Sequence, residues 1–227
     1  MRKVKAIMKE LLNIVTPLHR KTSRDYVGRM NDGKVECMKV ARRYGREFWD
    51  GDRRYGYGGY SYDGRWEPVA RRLIEQYGLS ADASILDVGC GKGYLLHELK
   101  KLLPQARTAG FDISGYAVAT AKKEIRDTLF VHNARDPFPF DDAEFDLAIS
   151  LTALHNLRVN ELKAALAQME RVARNKYLVV ESYRSELELF NLQCWALTCE
   201  SFYDPREWVW LFNEFGYTGD YEFIYFE

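Results

Sequence analysis

The chain has 227 residues, enough for one domain with a full core, and its 47% hydrophobic and 29% charged content excludes a disordered or fibrous protein. No apolar run approaches the roughly 20 residues of a membrane span and the charged N-terminus lacks a signal-peptide core, so a cytoplasmic protein without a membrane span is expected. The net charge of zero argues against nucleic acid as partner, although residues 1–54 carry 15 Lys and Arg against 7 Asp and Glu, and the remainder 18 against 26. Such a basic front on an acidic body suits an anionic small molecule. Cys37, Cys90, Cys194 and Cys199 show no paired spacing, so neither a metal site nor a disulfide framework is expected.

In chain order, Val4, Ile7, Met8, Leu11, Leu12 and Val15 fall at helical spacing opposite Arg2, Lys3, Lys5 and Lys9, predicting an amphipathic helix over 2–20 closed by Pro17. Its stripe could lie on the domain, on a second copy of the chain, giving a homodimer, or on a membrane surface, with docking onto protein the default because so short a basic face anchors weakly. A second helix is predicted over 32–49. Phe48 to Trp66 is too glycine-rich for helix or strand and too aromatic for a linker, so it is predicted as an ordered loop walling a pocket. A helix over 68–77 ends at Gly78. Strands over 84–88, 108–112, 128–132, 145–151 and 177–181 then alternate with helices starting at Tyr94, Tyr116 and Asn160, the pattern of a parallel sheet covered on both faces. Beyond Glu181 the pattern predicts a strand over 194–201, a helix over 205–215 and a strand over 221–226. The expected division is a helical and aromatic-loop cap over 1–66 and a ligand-binding domain over 67–227.

The most informative stretch runs Ser84-Ile85-Leu86-Asp87-Val88-Gly89-Cys90-Gly91-Lys92-Gly93-Tyr94. An apolar strand ends in an acid, passes three alternating glycines and opens into a helix, so the backbone can approach a ligand and offer free N–H groups. Tyr94 occupies the third-glycine position of the dinucleotide pattern, and Lys92 is followed by Gly93 rather than Ser or Thr, so both phosphate-loop readings weaken. Asp112 ends the second strand 21 residues after Gly91, where a carboxylate can accept both hydroxyls of a ribose.

This acid-x-Gly-x-Gly-x-Gly pattern resembles motif I of the class I S-adenosylmethionine-dependent methyltransferases. The resemblance implies a Rossmann-like αβα sandwich with a seven-stranded, mostly parallel sheet in the order 3-2-1-4-5-7-6. It implies S-adenosylmethionine as cofactor and S-adenosylhomocysteine as product. Asp87 and the Gly89-Cys90-Gly91 backbone would face the methionine part, Asp112 with Ile113 the ribose, Asn133 with Ala134 the adenine, and Leu151 the end of the fourth strand. Asn133 stands where the family more often has Asp.

Methyl transfer requires an aligned acceptor and, for a hydroxyl or ammonium, a proton acceptor. His155, just past the fourth strand, is the best-placed base; Tyr57 and Tyr60 are further candidates, with Glu181 beside them. Arg65 is expected to pair with the donor's carboxylate as the Tyr57 to Trp66 loop folds over the cofactor. The alternative places Arg65 on a surface acid. The N-terminal third, with Tyr57-Gly58-Gly59-Tyr60 leading to Asp63-Gly64-Arg65-Trp66, looks like bacterial class I enzymes associated with surface-polysaccharide gene sets, which implies a sugar-linked or anionic acceptor. A nucleic-acid or protein methyltransferase and a catalytically silent S-adenosylmethionine-binding protein are the alternatives.

Overall fold

The computed structural model describes residues 10–227. The ligand-site half of the fold grows directly from the strand-loop-helix pattern. Strands β1 (Ser84–Val88), β2 (Arg107–Asp112), β3 (Leu129–Val131), β4 (Phe145–Leu151), β5 (Ala173–Glu181) and β6 (Asp220–Ile224) form one sheet in the order β3-β2-β1-β4-β5-β6. Every strand pair is parallel. The chain winds outward in one direction from β1 and in the other from β4, so a crevice opens between their C-terminal ends.

Successive strand residues serve opposite layers. Ile85, Leu147, Ile149 and Val179 pack in one core with Leu96 and Leu99 of α6 (Tyr94–Leu102), whereas Leu86, Val88, Ala148 and Leu178 pack in the other with Leu166 of α9 (Val159–Val172) and Trp208 and Phe212 of α11 (Pro205–Glu214). With both faces covered, β5 reads as a continuous apolar run from Tyr177 to Val180, all fully buried.

Three expectations are corrected. The sheet has six strands and the added antiparallel strand is absent among the described residues: Ser185 caps α10 (Glu186–Trp195), whose acidic first turn suits a helix start, so the chain predicted as a strand over 194–201 is a helix end followed by irregular backbone. The helix predicted over 2–20 falls partly outside the described residues, and its described part is not one helix. Tyr221 donates to Glu10 O (3.0 Å) and Leu12 N–H to Tyr221 O (2.9 Å), placing Leu11 in a parallel bridge along the free edge of β6. Pro17 then opens the short α1 (Thr16–His19) rather than closing a long one, since its missing N–H costs nothing in a first turn. The helix predicted over 32–49 is broken into α3 (Lys34–Ala41) and α4 (Arg46–Asp50), preceded by α2 (Tyr26–Asn31). The break lies at Tyr44, whose φ of +48° no helix allows.

The remaining helices are α5 (Glu67–Tyr77), α7 (Gly115–Ala119) and α8 (Lys123–Arg126). No described helix is long and apolar enough to cross a membrane.

Candidate active site

The loop between β1 and α6 needs its glycines. Gly89, Gly91 and Gly93 all have positive φ (78°, 55° and 67°), and a Cβ on Gly91 would stand 2.7 Å from the Trp49 ring. Asp112, at the end of β2, accepts the backbone N–H of Gly91 and of Ser114, each at 2.8 Å, and so ties the first two ligand loops together. Each of its oxygens keeps a lone pair for a further donor. Burial raises this carboxyl above the usual range; burial, then the charge of Asp112, pushes neighbouring Asp87 up to about 8.

A cavity of about 250 Å³ opens at the crevice, and Gly89, Asp112, Ile113, Asn133, Ala134 and Leu151 all line it. Six of the predicted ligand residues therefore share one wall. Asp87, Cys90 and Gly91 stand behind it: Asp87 lies within the buried strand, and Trp49 covers Gly91. Asn133 also makes a turn, its Oδ1 accepting Arg135 N–H at 3.1 Å. Sequence reading missed Tyr44, His132, Thr152 and Asn156, which line the same cavity. His132 Nε2 and Asn156 Oδ1, on two residues of this lining, are buried and have no hydrogen-bond partner. Thr152 has φ +53°, a left-handed conformation that a β-branched residue resists, held at the C-terminal end of β4 by its N–H to Val179 O. A buried carboxylate with lone pairs to spare beside apolar walls fits a nucleoside that presents hydroxyl donors.

The aromatic loop closes over this site. Trp49 donates to Ser114 Oγ (2.9 Å), Tyr57 stacks on Trp49 with centroids 5.1 Å apart, and Tyr60 stacks on Tyr94 at the same distance. Lys92 of the glycine loop is almost fully buried; its ammonium contacts both Asp50 oxygens at 2.7 Å and Tyr60 O at 2.8 Å. Arg65 departs from the donor-carboxylate expectation: its guanidinium grips neighbouring Asp63 (Nε–Oδ2 2.7 Å) at the rim of a second cavity. The two residues are a turn apart, so their pairing needs no ligand.

That second cavity, about 640 Å³, meets the first at Phe48, Tyr57, Thr152 and Asn156. His155 is buried on its floor, with Nε2 3.4 Å from the Glu181 carboxylate and Nδ1 3.5 Å from Glu181 N–H. Burial lowers its pKa against the opposing pull of Glu181, leaving a neutral ring with both nitrogens turned to Glu181. Tyr57 faces the cleft, and burial of its hydroxyl pushes it up to about 12; Tyr60, bonded to Trp66 Nε1, is pushed higher still. Both tyrosines stay protonated at neutral pH, so they wall the site and can donate but not act as bases there.

Residues 85–176 match the family described as "Methyltransferase domain". The match spans β1 to the start of β5 and takes in the glycine loop, and the sheet order around that loop is that of a Rossmann-like α/β fold. The chain is similar to an uncharacterized methyltransferase of Synechocystis sp., 27% identical over 52% of this chain and 55% of that one. It is also similar to the mouse protein named arginine-hydroxylase NDUFAF5, mitochondrial, 29% identical over 56% of this chain and 37% of the relative. The chain thus spans about half or less of these relatives' length. Among solved structures, the YcgJ protein from Bacillus subtilis superimposes with a TM-score of 0.52 at 18% identity, over 64% of this chain and 66% of that one, a likeness of fold.

Proposed function

We propose that the protein is an S-adenosylmethionine-dependent methyltransferase acting on a small anionic acceptor. The observation that carries this reading is a pair of adjoining cavities with Phe48, Tyr57, Thr152 and Asn156 in both walls: one lined by Asp112 and Gly89 of the glycine loop, suited to a nucleoside, the other beside it. The bound donor supplies a sulfonium-activated methyl group. Around it the protein orients and excludes water. Asp112 takes the ribose hydroxyls, His132 and Asn156 meet polar atoms of the nucleoside, and the aromatic loop shields the junction of the cavities.

For a hydroxyl acceptor the base assignment passes from His155 to Glu181. Both imidazole nitrogens face Glu181, so the ring is spent on orienting that carboxylate, which lines the second cavity and receives the acceptor's proton. His155 is thereby a positioning residue. A sugar-linked acceptor, suggested by the resemblance of the N-terminal third, belongs to the same anionic class where the sugar carries a phosphate or carboxylate. The second reading, prompted by the relative named as an arginine-hydroxylase, keeps the fold with other chemistry.

Calorimetry with S-adenosylhomocysteine, followed by a methyl-transfer screen of phosphorylated, sugar-linked and carboxylate acceptors, tests the proposal. Saturable binding and turnover with an anionic acceptor are expected. Tight NAD binding with none for S-adenosylhomocysteine would sink it, and donor binding without transfer to any acceptor would favour the silent or hydroxylase-like alternatives.

A further inference from the structure

The second cavity holds an arrangement that methyl transfer does not itself require. Arg24, Arg29 and Arg53 line it and converge on one indole, their guanidinium carbons 5.5, 4.3 and 5.0 Å from the Trp195 ring centroid. Among the described residues none pairs with a carboxylate. Arg24 bonds the carbonyls of His19 and Thr22 and the His19 ring, and its buried Nε has no partner. Arg29 donates to Trp195 O (3.0 Å) and Arg53 O (2.8 Å), and Arg53 to Gly56 O (2.7 Å) and Tyr57 O (3.0 Å). Glu181 lies within electrostatic reach of Arg24 but is held by His155. Residues 1–9 contain no Asp or Glu, so no acid in that segment supplies the missing charge. His19 adds none of its own positive charge: burial, then Arg24, brings it down to about 4.

Three like charges gathered in a half-buried pocket repel one another, and burial with that repulsion lowers Arg29 to about 10, still charged at neutral pH. Glu181 reaches Arg24 and Asp32 reaches Arg29 only through space, Asp32 being paired with Arg54, so a cluster whose guanidiniums bond no carboxylate is costly until an anion enters. A carboxylate brings one charge; a phosphate ester brings about −1.5 to −2 and three oxygens for planar guanidinium forks. We infer that Arg24, Arg29 and Arg53 form an oxyanion subsite that grips a phosphate ester on the methyl acceptor. This rests on the reading of the second cavity as the acceptor site, and it adds the class of acceptor: a phosphorylated small molecule whose methylated atom lies toward Tyr57 and Glu181.

The test uses calorimetry on the full chain with pyrophosphate and citrate as probes and, separately, S-adenosylhomocysteine. Saturable pyrophosphate binding is expected, tighter than citrate, and weakened about tenfold or more in Arg24→Gln and in Arg53→Gln, with S-adenosylhomocysteine affinity unchanged. Arg53 is exposed, so its variant keeps the test alive if Arg24→Gln fails to fold. Absence of saturable pyrophosphate binding to the folded wild type overturns the inference. Citrate binding as tightly as pyrophosphate overturns the phosphate assignment, and a matching loss of S-adenosylhomocysteine affinity in the variants would place these arginines on the donor's own carboxylate. Pyrophosphate binding without S-adenosylhomocysteine binding supports the subsite while sinking the donor reading, so the two failures are distinct.

Discussion

Asp112 and Asp87 lie 25 residues apart in sequence on adjacent strands, yet burial gives them different work. Asp112 already accepts two backbone N–H groups, so Asp112→Ala removes both the loop tie and the ribose acceptor. Losing charge-assisted hydrogen bonds of about 1.5–3 kcal/mol each should weaken S-adenosylhomocysteine about tenfold or more by calorimetry; unchanged affinity would remove Asp112 from the ribose site. Asp87 has its folded pKa raised to about 8, so the native state holds a proton that the unfolded chain loses near pH 4. Its penalty is absent below the unfolded value and grows as pH rises toward about 8. Asp87→Asn should therefore raise Tm more at pH 8.5 than at pH 5, by roughly 2–4 °C per kcal/mol relieved, and an equal shift at both pH values would show that the acid carries no such charge. That Gly89, Asp112, Asn133 and Ala134 border one cavity was legible in the sequence because a parallel sheet opens its crevice where strands stop. His132 and Asn156 were not: nothing local marks a polar atom as orphaned, which depends on what the other loops bring around it.

At the scale of elements, the aromatic loop is pinned rather than merely packed. Lys92 rises from the glycine loop into a nest made by Asp50, Tyr60 O and the Asp50-bound Tyr116 hydroxyl, joining the two segments that border the first cavity. Removing one partner of a buried pair leaves the other charge uncompensated, at about 3–5 kcal/mol, whereas replacing both with apolar residues is often neutral. Asp50→Ala should lower stability by that order in denaturant melts and weaken S-adenosylhomocysteine as the loop loosens. Asp50→Leu combined with Lys92→Met should recover much of the stability, and a double variant as unstable as the sum of the singles would show that the two residues act apart. The sequence indicated an ordered loop from its tyrosines and glycines, but the cation it would need was sought in Arg65. That guanidinium had an acid two residues away, and a short-range partner outcompetes a distant one. The helix breaks at Tyr44 and Gly45 and the cap at Ser185 escaped the periodicity argument for a related reason, since short helices are fixed by ends and tertiary packing more than by a long apolar stripe.

Over the whole molecule, the N-terminal segment builds the second cavity onto the sheet, and beside its backbone bonds to Tyr221 and the Glu10 N–H to Asp220 one buried carboxylate gathers most of the side-chain bonds that hold it there. Glu222 of β6, 1% exposed, accepts the N–H groups of Ile14 (2.6 Å), Val15 (3.0 Å) and Thr16, together with the Tyr177 hydroxyl. These are the donors that the start of α1 would otherwise leave unpaired, so the acid both satisfies the helix end and fixes the chain against the sheet. From that anchor the backbone runs on to Leu18, His19 and Arg24, all on the wall of the second cavity and none on the first. Glu222→Ala should thus act unequally on the two sites. Several buried N–H groups lose their acceptor at about 1–3 kcal/mol each, amide exchange at Ile14 to Thr16 should accelerate, and pyrophosphate affinity should fall by about tenfold as Arg24 drifts from Arg29 and Arg53. S-adenosylhomocysteine affinity, if the proposed donor site at Asp112 and the glycine loop on the far side of β4 sets it, should stay within about twofold of wild type, in keeping with the near-independence of distant sites. Equal losses on both sites would mean that the segment supports the fold as a whole, and protected amides with full pyrophosphate affinity would mean that the core contacts of Ile14 and Val15 hold it without the carboxylate.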